Sequence, residues 1–352
     1  MRLLSPPMEF GIYTFVDHTP DPVSGVRISP EQRHRDLLEE AMLADKLGLD
    51  VFGIGEHHRS DFIASAPAVL LAAIAARTQR IRLGSAVTVL SSDDPVRVYQ
   101  QYATLDLVSN GRAEVMAGRG SFTESFPLFG YDLKDYDALF SEKLAMLLEI
   151  RKGETLTWKG EHTPTINGKG VYPRSVQQPL PVWIAVGGTP ESVARAAVLG
   201  LPMMLAIIGG DPARFKPYTD LYRRAWHESG HASERYQLGI GSHGFIADTF
   251  EEAAELIYPR YAMQMGRIGK ERGWGPVGRP QFDFEVSPQG AMLLGDPDTV
   301  AKKIVREHEL FGFTRFCLQF SVGSVPQDKM LRCIELYATE VVPRVKAAIR
   351  KA

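Results

Sequence analysis

The fold this sequence predicts is α/β, a (β/α)8 TIM barrel with insertions. Two observations carry the α/β reading: apolar runs too short and too continuous for half-exposed strands, and helical patterns that stop on a glycine just before such runs. Gly48 precedes the run at 50–54, Gly200 the run at 203–207, and Gly312 the run at 314–320. Glycine there supplies the left-handed conformation that ends a helix. The third observation is the count. Eight strand–helix pairs favour a closed barrel, although an open doubly wound sheet would share the same local grammar.

Strands are expected near 10–15, 51–55, 81–89, 113–117, 182–186, 203–207, 238–246 and 314–320. Helical patterns fall near 30–47, 67–77, 95–109, 136–151, 190–199, 212–229, 250–268 and 326–348. Helix starts are marked by Ser29-Pro30-Glu31-Gln32, Asp94-Pro95, Thr189-Pro190, Asp211-Pro212, Thr249-Phe250-Glu251-Glu252 and Asp296-Pro297. Each offers an N-cap oxygen, most place proline at N1, and Ser29/Gln32 and Thr249/Glu252 have capping-box spacing. Residues 152–181 and 269–295, rich in glycine, proline and polar residues, read as excursions on a single barrel domain spanning 1–352.

The chain has 352 residues, 44% hydrophobic and 23% charged, with a net charge of -2. That composition builds a large core and excludes disorder, collagen and coiled coil. The longest apolar run, 66–76, contains Pro67 and is closed by Arg77, too short to cross a bilayer. Arg2, Pro6, Pro7 and Glu9 leave no unbroken apolar stretch for a secretory signal, so the expected location is cytoplasmic. Cys317 and Cys333 fall in a strand-like and a helix-like run and suggest core residues, with neither a disulfide framework nor a thiolate metal site. Without basic runs there is no footprint for nucleic acid or an anionic membrane, and the expected partner is a small molecule.

Two motifs fail on context. Gly239-Ile240-Gly241-Ser242-His243-Gly244 matches G-x-G-x-x-G, but the strand pattern continues through Phe245-Ile246-Ala247 where a dinucleotide site requires a helix. It reads as a strand whose glycines admit a close approach. His227-Glu228-Ser229-Gly230-His231 matches H-E-x-x-H, but Ser229-Gly230 reads as a helix end, which takes the second histidine off the helix face. No metal is expected.

In a barrel the chemistry sits where strands end at their C-terminal side. The second strand ends in Gly55-Glu56-His57-His58, which can cap the strand, bind metal or act as acid and base. The fourth ends in Gly118-Arg119-Gly120-Ser121, a guanidinium between glycines, suited to phosphate or carboxylate and equally to a surface salt bridge. The fifth runs into Gly187-Gly188-Thr189-Pro190, whose free N–H groups at a helix start form a ready anion site. Arg119 and this turn could grip one phosphate together. The third strand carries Gly84-Ser85-Ala86-Val87, small residues that suit a planar ligand or simply a crowded barrel interior.

These residues, with Leu83-Gly84-Ser85-Ala86-Val87-Thr88-Val89-Leu90, Asp94-Pro95-Val96-Arg97, Gly111-Arg112-Ala113-Glu114, Pro181-Val182-Trp183-Ile184, Gly200-Leu201-Pro202-Met203 and Gly295-Asp296-Pro297, resemble the bacterial luciferase-like monooxygenases in order along nearly the whole chain. The resemblance implies a (β/α)8 barrel with an insertion before the last strand, reduced FMN and oxygen as reactants, and, in a related branch, the deazaflavin F420 for hydride transfer. It places the flavin phosphate on Gly118, Arg119 and Gly120 with Gly187, Gly188 and Thr189. It lays Ser85, Ala86 and Val87 against the ring system, through a non-prolyl cis peptide at Ala86-Val87. His57 would act as acid or base beside the reactive flavin edge, with Glu56 or His58 fixing its orientation. Luciferase itself has a cysteine where this chain has Gly118, so light emission does not follow.

The expected activity is an FMN-dependent monooxygenase that binds FMN more tightly when reduced and oxygenates a small organic substrate. A separate NAD(P)H:flavin reductase is the expected source of reduced flavin, and a homodimer is implied by the resemblance. The alternatives are an F420-dependent hydride-transfer oxidoreductase and a flavin-binding protein without turnover. Phe15, Phe122, Gln319 and Ser321 are further candidates to line the cavity, and the 269–295 excursion is expected to shape substrate choice.

Overall fold

Eight parallel strands close on themselves in the computed structural model, which describes residues 8–120 and 122–351. Arg2, Pro6, Pro7 and Ser121 of the sequence reading lie outside the described residues. The barrel strands are β1 (Glu9–Thr14), β2 (Val51–Ile54), β3 (Arg82–Ser85), β4 (Ala113–Gly118), β5 (Val182–Val186), β6 (Met203–Ile207), β7 (Leu238–Ile246) and β8 (Arg315–Gln319). Each pairs in parallel with the next, and β8 pairs with β1, so the sheet has no free edge. The eight expected strands are these eight. The run at 81–89 is divided, with Thr88–Val89 forming a separate short strand against β4 beyond a cis Ala86–Val87 peptide.

Helix punctuation works as predicted at five of the six caps; Thr189 stands at its N-cap position, but its hydroxyl accepts no backbone N–H among the described residues and donates to Ser192 Oγ instead. Ser29, Asp94, Asp211, Thr249 and Asp296 each accept a backbone N–H from the first turn they open. One helix, Pro297–Phe311, is missing from the expected set of eight although its cap and its stop at Gly312 were legible. It packs on the helices Lys216–Glu228 and Val342–Lys351 and supplies the crossover into β8. The excursions also hold more order than their composition suggests. An antiparallel hairpin, Thr155–Trp158 with Ile166–Gly170, occupies the first, and the second contains the helix Arg279–Val286 and the short strand Leu293–Gly295 alongside β7.

Alternation along the strands separates two apolar layers. Phe10, Ile12, Phe52, Ile54 and Leu83 are buried in the layer between sheet and helices, while Val51, Met116, Trp183, Met204 and Cys317 cluster in the barrel interior. Below that cluster the interior is closed by charge. Arg315, only 2% exposed, pairs with Glu114 and with Glu9 (2.6 Å), and its guanidinium stacks 4.0 Å above the Trp183 ring. Two carboxylates and an aromatic face satisfy a cation that would be costly to bury alone.

The two discarded motifs are structural. Gly239 and Gly241 face the interior of β7: a Cβ at Gly239 would stand 2.6 Å from Met204 Cε, and one at Gly241 3.3 Å from the Tyr13 hydroxyl. The helix before His231 ends at Glu228, Gly230 turns at φ +74°, and the His231 ring bonds the Val198 carbonyl at 3.0 Å. Both cysteines are buried and free. Among the described residues, no helix is long and apolar enough to cross a membrane.

Candidate functional site

The end of β2 turns straight into Gly55-Glu56-His57-His58, and the three polar side chains part company. Glu56 accepts the Val89 amide at 2.9 Å with one oxygen and faces His58 Nε2 at 2.8 Å with the other. Its own amide bonds the Val87 carbonyl at 3.1 Å, so Glu56 ties β2 to the segment on either side of Ala86–Val87. The expectation that Glu56 or His58 orients His57 is therefore corrected: those two residues hold each other. His57 is set in an aromatic box, its ring centroid 4.4 Å from Phe15, 4.5 Å from Phe62 and 4.9 Å from Phe122. Its Nε2 is buried without a hydrogen-bond partner among the described residues. Burial drives its pKa down to about 3, against a weaker upward pull from Asp61, so the imidazole is neutral.

Beside it, Ser85, Ala86 and Val87 form one wall. Ser85 is locked to β4, its hydroxyl exchanging hydrogen bonds with Met116 N–H (3.0 Å) and carbonyl (3.2 Å). Two glycines make room for that wall: a Cβ at Gly118 would stand 2.6 Å from Val87 Cγ2, and one at Gly53 3.1 Å from the Ala86 Cβ. Gly118 thus has a steric reason independent of any chemistry at that position.

At the far side the structure brings Arg119 and the β5 turn together. Arg119 donates to Thr189 Oγ1 at 3.2 Å and to Asp137 Oδ1 at 2.6 Å, and its guanidinium lies over the Tyr136 ring at 5.3 Å. Thr189 in turn donates to Ser192 Oγ at 2.8 Å. Gly188 has φ +112°, a conformation glycine adopts freely, and leads into the helix Pro190–Val198. A guanidinium, hydroxyls and a helix start at one point are the donor set of an anion site.

One cavity of about 390 Å³ reaches from the His57 box to Arg119, with Glu56, His57, Ser85, Ala86, Val87, Gly118, Arg119, Gly120 and Gly187 in its wall, while His58, Gly188 and Thr189 lie outside its lining. Phe15, Phe122 and Gln319 also line it, whereas Ser321 instead donates to the buried Asp17 carboxylate at 2.7 Å. Its roof is the helix Phe250–Arg272, which contributes Gln264, Met265, Ile268 and Arg272, followed by Trp274 from the excursion. Polar ties pin that roof down. Gln264 donates to Asp61 at 2.9 Å, Arg59 grips Glu271 at 2.6 and 2.7 Å, and Arg260 pairs with Asp21.

Sequence reasoning missed His243 as a site residue. It lies in register with Gln319 on β8, its Nδ1 is buried without a partner among the described residues, and burial pushes its pKa down to about 4. Alternation could have found it, because Gly239, Gly241 and His243 share the inward face of β7.

Comparison with known proteins now gives this geometry its family. The model of the luciferase-like monooxygenases matches residues 8–314. The chain belongs to that family. Among luciferase-like relatives, limonene 1,2-monooxygenase of Rhodococcus erythropolis is 33% identical over 345 residues, 96% of this chain and 86% of that protein. The monooxygenase RslO1 from Streptomyces bottropensis superposes with a TM-score of 0.82 at 25% identity, covering 96% of this chain and 99% of that one. The oxygenating constituent of 3,6-diketocamphane monooxygenase from Pseudomonas putida, solved with FMN, has a TM-score of 0.75 at 21% identity, with 96% and 98% coverage, and shows the shared fold. Relatives described as F420-dependent are matched too, so the luciferase-like family spans flavin and deazaflavin oxidoreductases.

Proposed function

We propose that this chain is a flavin-dependent monooxygenase that takes reduced FMN and oxygen and oxygenates a small apolar substrate. The observation that carries the reading is one cavity that reaches from Arg119, itself hydrogen-bonded to Thr189, to a dry, neutral imidazole at His57. The residues present fit the cofactor. Arg119 and the Gly187-Gly188-Thr189 turn would hold its phosphate, and the wall of Ser85, Ala86 and Val87, with Gly53 and Gly118 leaving room behind it, would face its ring. Reduced FMN, when bound, supplies two electrons and activates oxygen, one atom of which enters the substrate while the other leaves as water.

The chain supplies the surroundings. Phe15, Phe62 and Phe122 keep water from His57, and Nε2 is the atom at which a proton is accepted or a hydrogen bond offered. Because the imidazole is neutral, it enters the reaction as a base or a neutral hydrogen-bonding group, not as a cationic acid. Apolar walls from Met265, Ile268 and Trp274 support an apolar substrate. A separate NAD(P)H:flavin reductase completes the proposal, since the G-x-G-x-x-G of this chain lies within a strand.

The test is an anaerobic titration with reduced FMN, oxidised FMN and F420 in parallel, then rapid mixing of the reduced complex with oxygen. Preferential binding of reduced FMN and an oxygen-dependent absorbance transient support the proposal. Preference for F420 with no oxygen-dependent phase would sink it in favour of hydride transfer, and tight FMN binding indifferent to reduction with no oxygen-dependent phase would mark a binding protein.

A further inference from the structure

The anion grip already contains an anion. Arg119, whose side chain is 23% exposed, donates its shortest hydrogen bond, 2.6 Å, to the carboxylate of Asp137, which is 70% exposed. Asp137 sits in the first turn of the helix Tyr136–Ile150, but the N-cap position belongs to Asp135. Among the described residues, the Asp137 carboxylate bonds to Arg119 and to no backbone N–H. A second cation lies nearby on the helix Pro190–Val198: the Arg195 guanidinium sits 5.3 Å over the Phe140 ring, and its Nη1 is buried without a hydrogen-bond partner among the described residues. The Arg119–Asp137 pair thus stands beside the Thr189 and Ser192 hydroxyls.

Resting on the reading above, we propose that Asp137 is a resident counter-ion that competes with a flavin phosphate for Arg119, holding flavin loosely enough to serve as an exchanging co-substrate. A phosphate arriving at Arg119 must take the hydrogen bond that Asp137 holds and then sit beside its negative charge. Both effects weaken binding and speed release, and neither acts on a flavin that lacks the phosphate. Such a brake suits a chain whose reduced flavin arrives from another protein and whose oxidised flavin must leave after each turnover.

The experiment compares wild type, Asp137→Asn and Arg119→Ala, each checked for an unchanged melting profile, in binding FMN and riboflavin in both oxidation states, with inorganic phosphate as competitor. The expected result for Asp137→Asn is FMN binding tightened about fivefold, the upper range for an exposed ion pair, with slower release and riboflavin unaffected. Inorganic phosphate alone should likewise bind this variant more tightly than wild type. FMN affinity that is unchanged or weaker in Asp137→Asn overturns the counter-ion role and makes Asp137 a residue that merely positions Arg119. The Arg119→Ala arm separates the two readings. If it weakens FMN toward riboflavin while Asp137→Asn fails to tighten, only the counter-ion proposal falls; if it leaves FMN binding intact, the phosphate site falls with it.

Discussion

His57 and Phe62 lie with ring centroids 4.5 Å apart and planes tilted by 31°, so one face of the histidine is covered by hydrocarbon. The edges of Phe15 and Phe122 close other sides. An imidazole so enclosed is uncharged near neutral pH in the free chain, and its reactivity waits for what enters the cavity.

The first prediction concerns turnover. His57→Gln keeps the bulk of the side chain and removes the basic nitrogen, and it should lower kcat by about a hundredfold, the lower range for a lost acid–base group. Flavin affinity should stay within twofold of wild type, about 0.4 kcal/mol. Wild-type turnover in this variant would end the proposed role of His57.

The second concerns acid stability. His57 and His243 titrate near pH 6.5 when unfolded and only at about 3 and about 4 when folded, so the unfolded chain takes up more protons as pH falls. The stability they lend is complete above pH 6.5 and drains away as pH drops toward the folded values. His57→Gln should therefore show a shallower loss of melting temperature between pH 6.5 and 4 than wild type; parallel curves would show that the ring is not dry.

The third runs the other way. Glu307, buried on the helix Pro297–Phe311 and accepting the Ser242 hydroxyl at 3.2 Å, is pushed up to about 8 by desolvation. Its folded form keeps a proton that the unfolded chain releases near pH 4.5, so its contribution is full below that value and is lost as pH rises through 8. Glu307→Gln should match wild type at pH 4.5 and melt higher at pH 9. A melting temperature at pH 9 no higher than wild type would contradict the assignment.

The fourth tests the cofactor wall. Gly118→Ala places a methyl 2.6 Å from Val87 Cγ2, and overpacking of this kind costs about 1 to 3 kcal/mol. Reduced stability together with weakened flavin binding is expected, and calorimetry with a flavin titration reads both. A variant as stable as wild type with unaltered flavin affinity would show that the wall yields.

The barrel was legible because its signals are local. Asp296 caps and Gly312 stops a helix within a few residues of themselves, and β5 and β6 declare themselves as continuous apolar runs. Arg119 and Thr189 could be paired because both follow strand ends, which a barrel gathers on one face. The partnerships of Glu56 were hidden, since its neighbours in sequence, His57 and His58, carry equal claims and only the path of the Val87–Val89 segment decides. The roof escaped for a related reason: Gln264 and Asp61 stand 203 residues apart, and no local pattern reports a hydrogen bond of that span.

The plug of Arg315, Glu9 and Glu114 stoppers one end of the barrel interior. A vessel filled and emptied through one opening imposes a queue. Whatever settles deepest has to be admitted first and discharged last, and a second guest seated nearer the rim imprisons the first. On the proposed function, ordered kinetics with flavin leading and substrate following are the expected consequence of how the bottom of the barrel is stoppered.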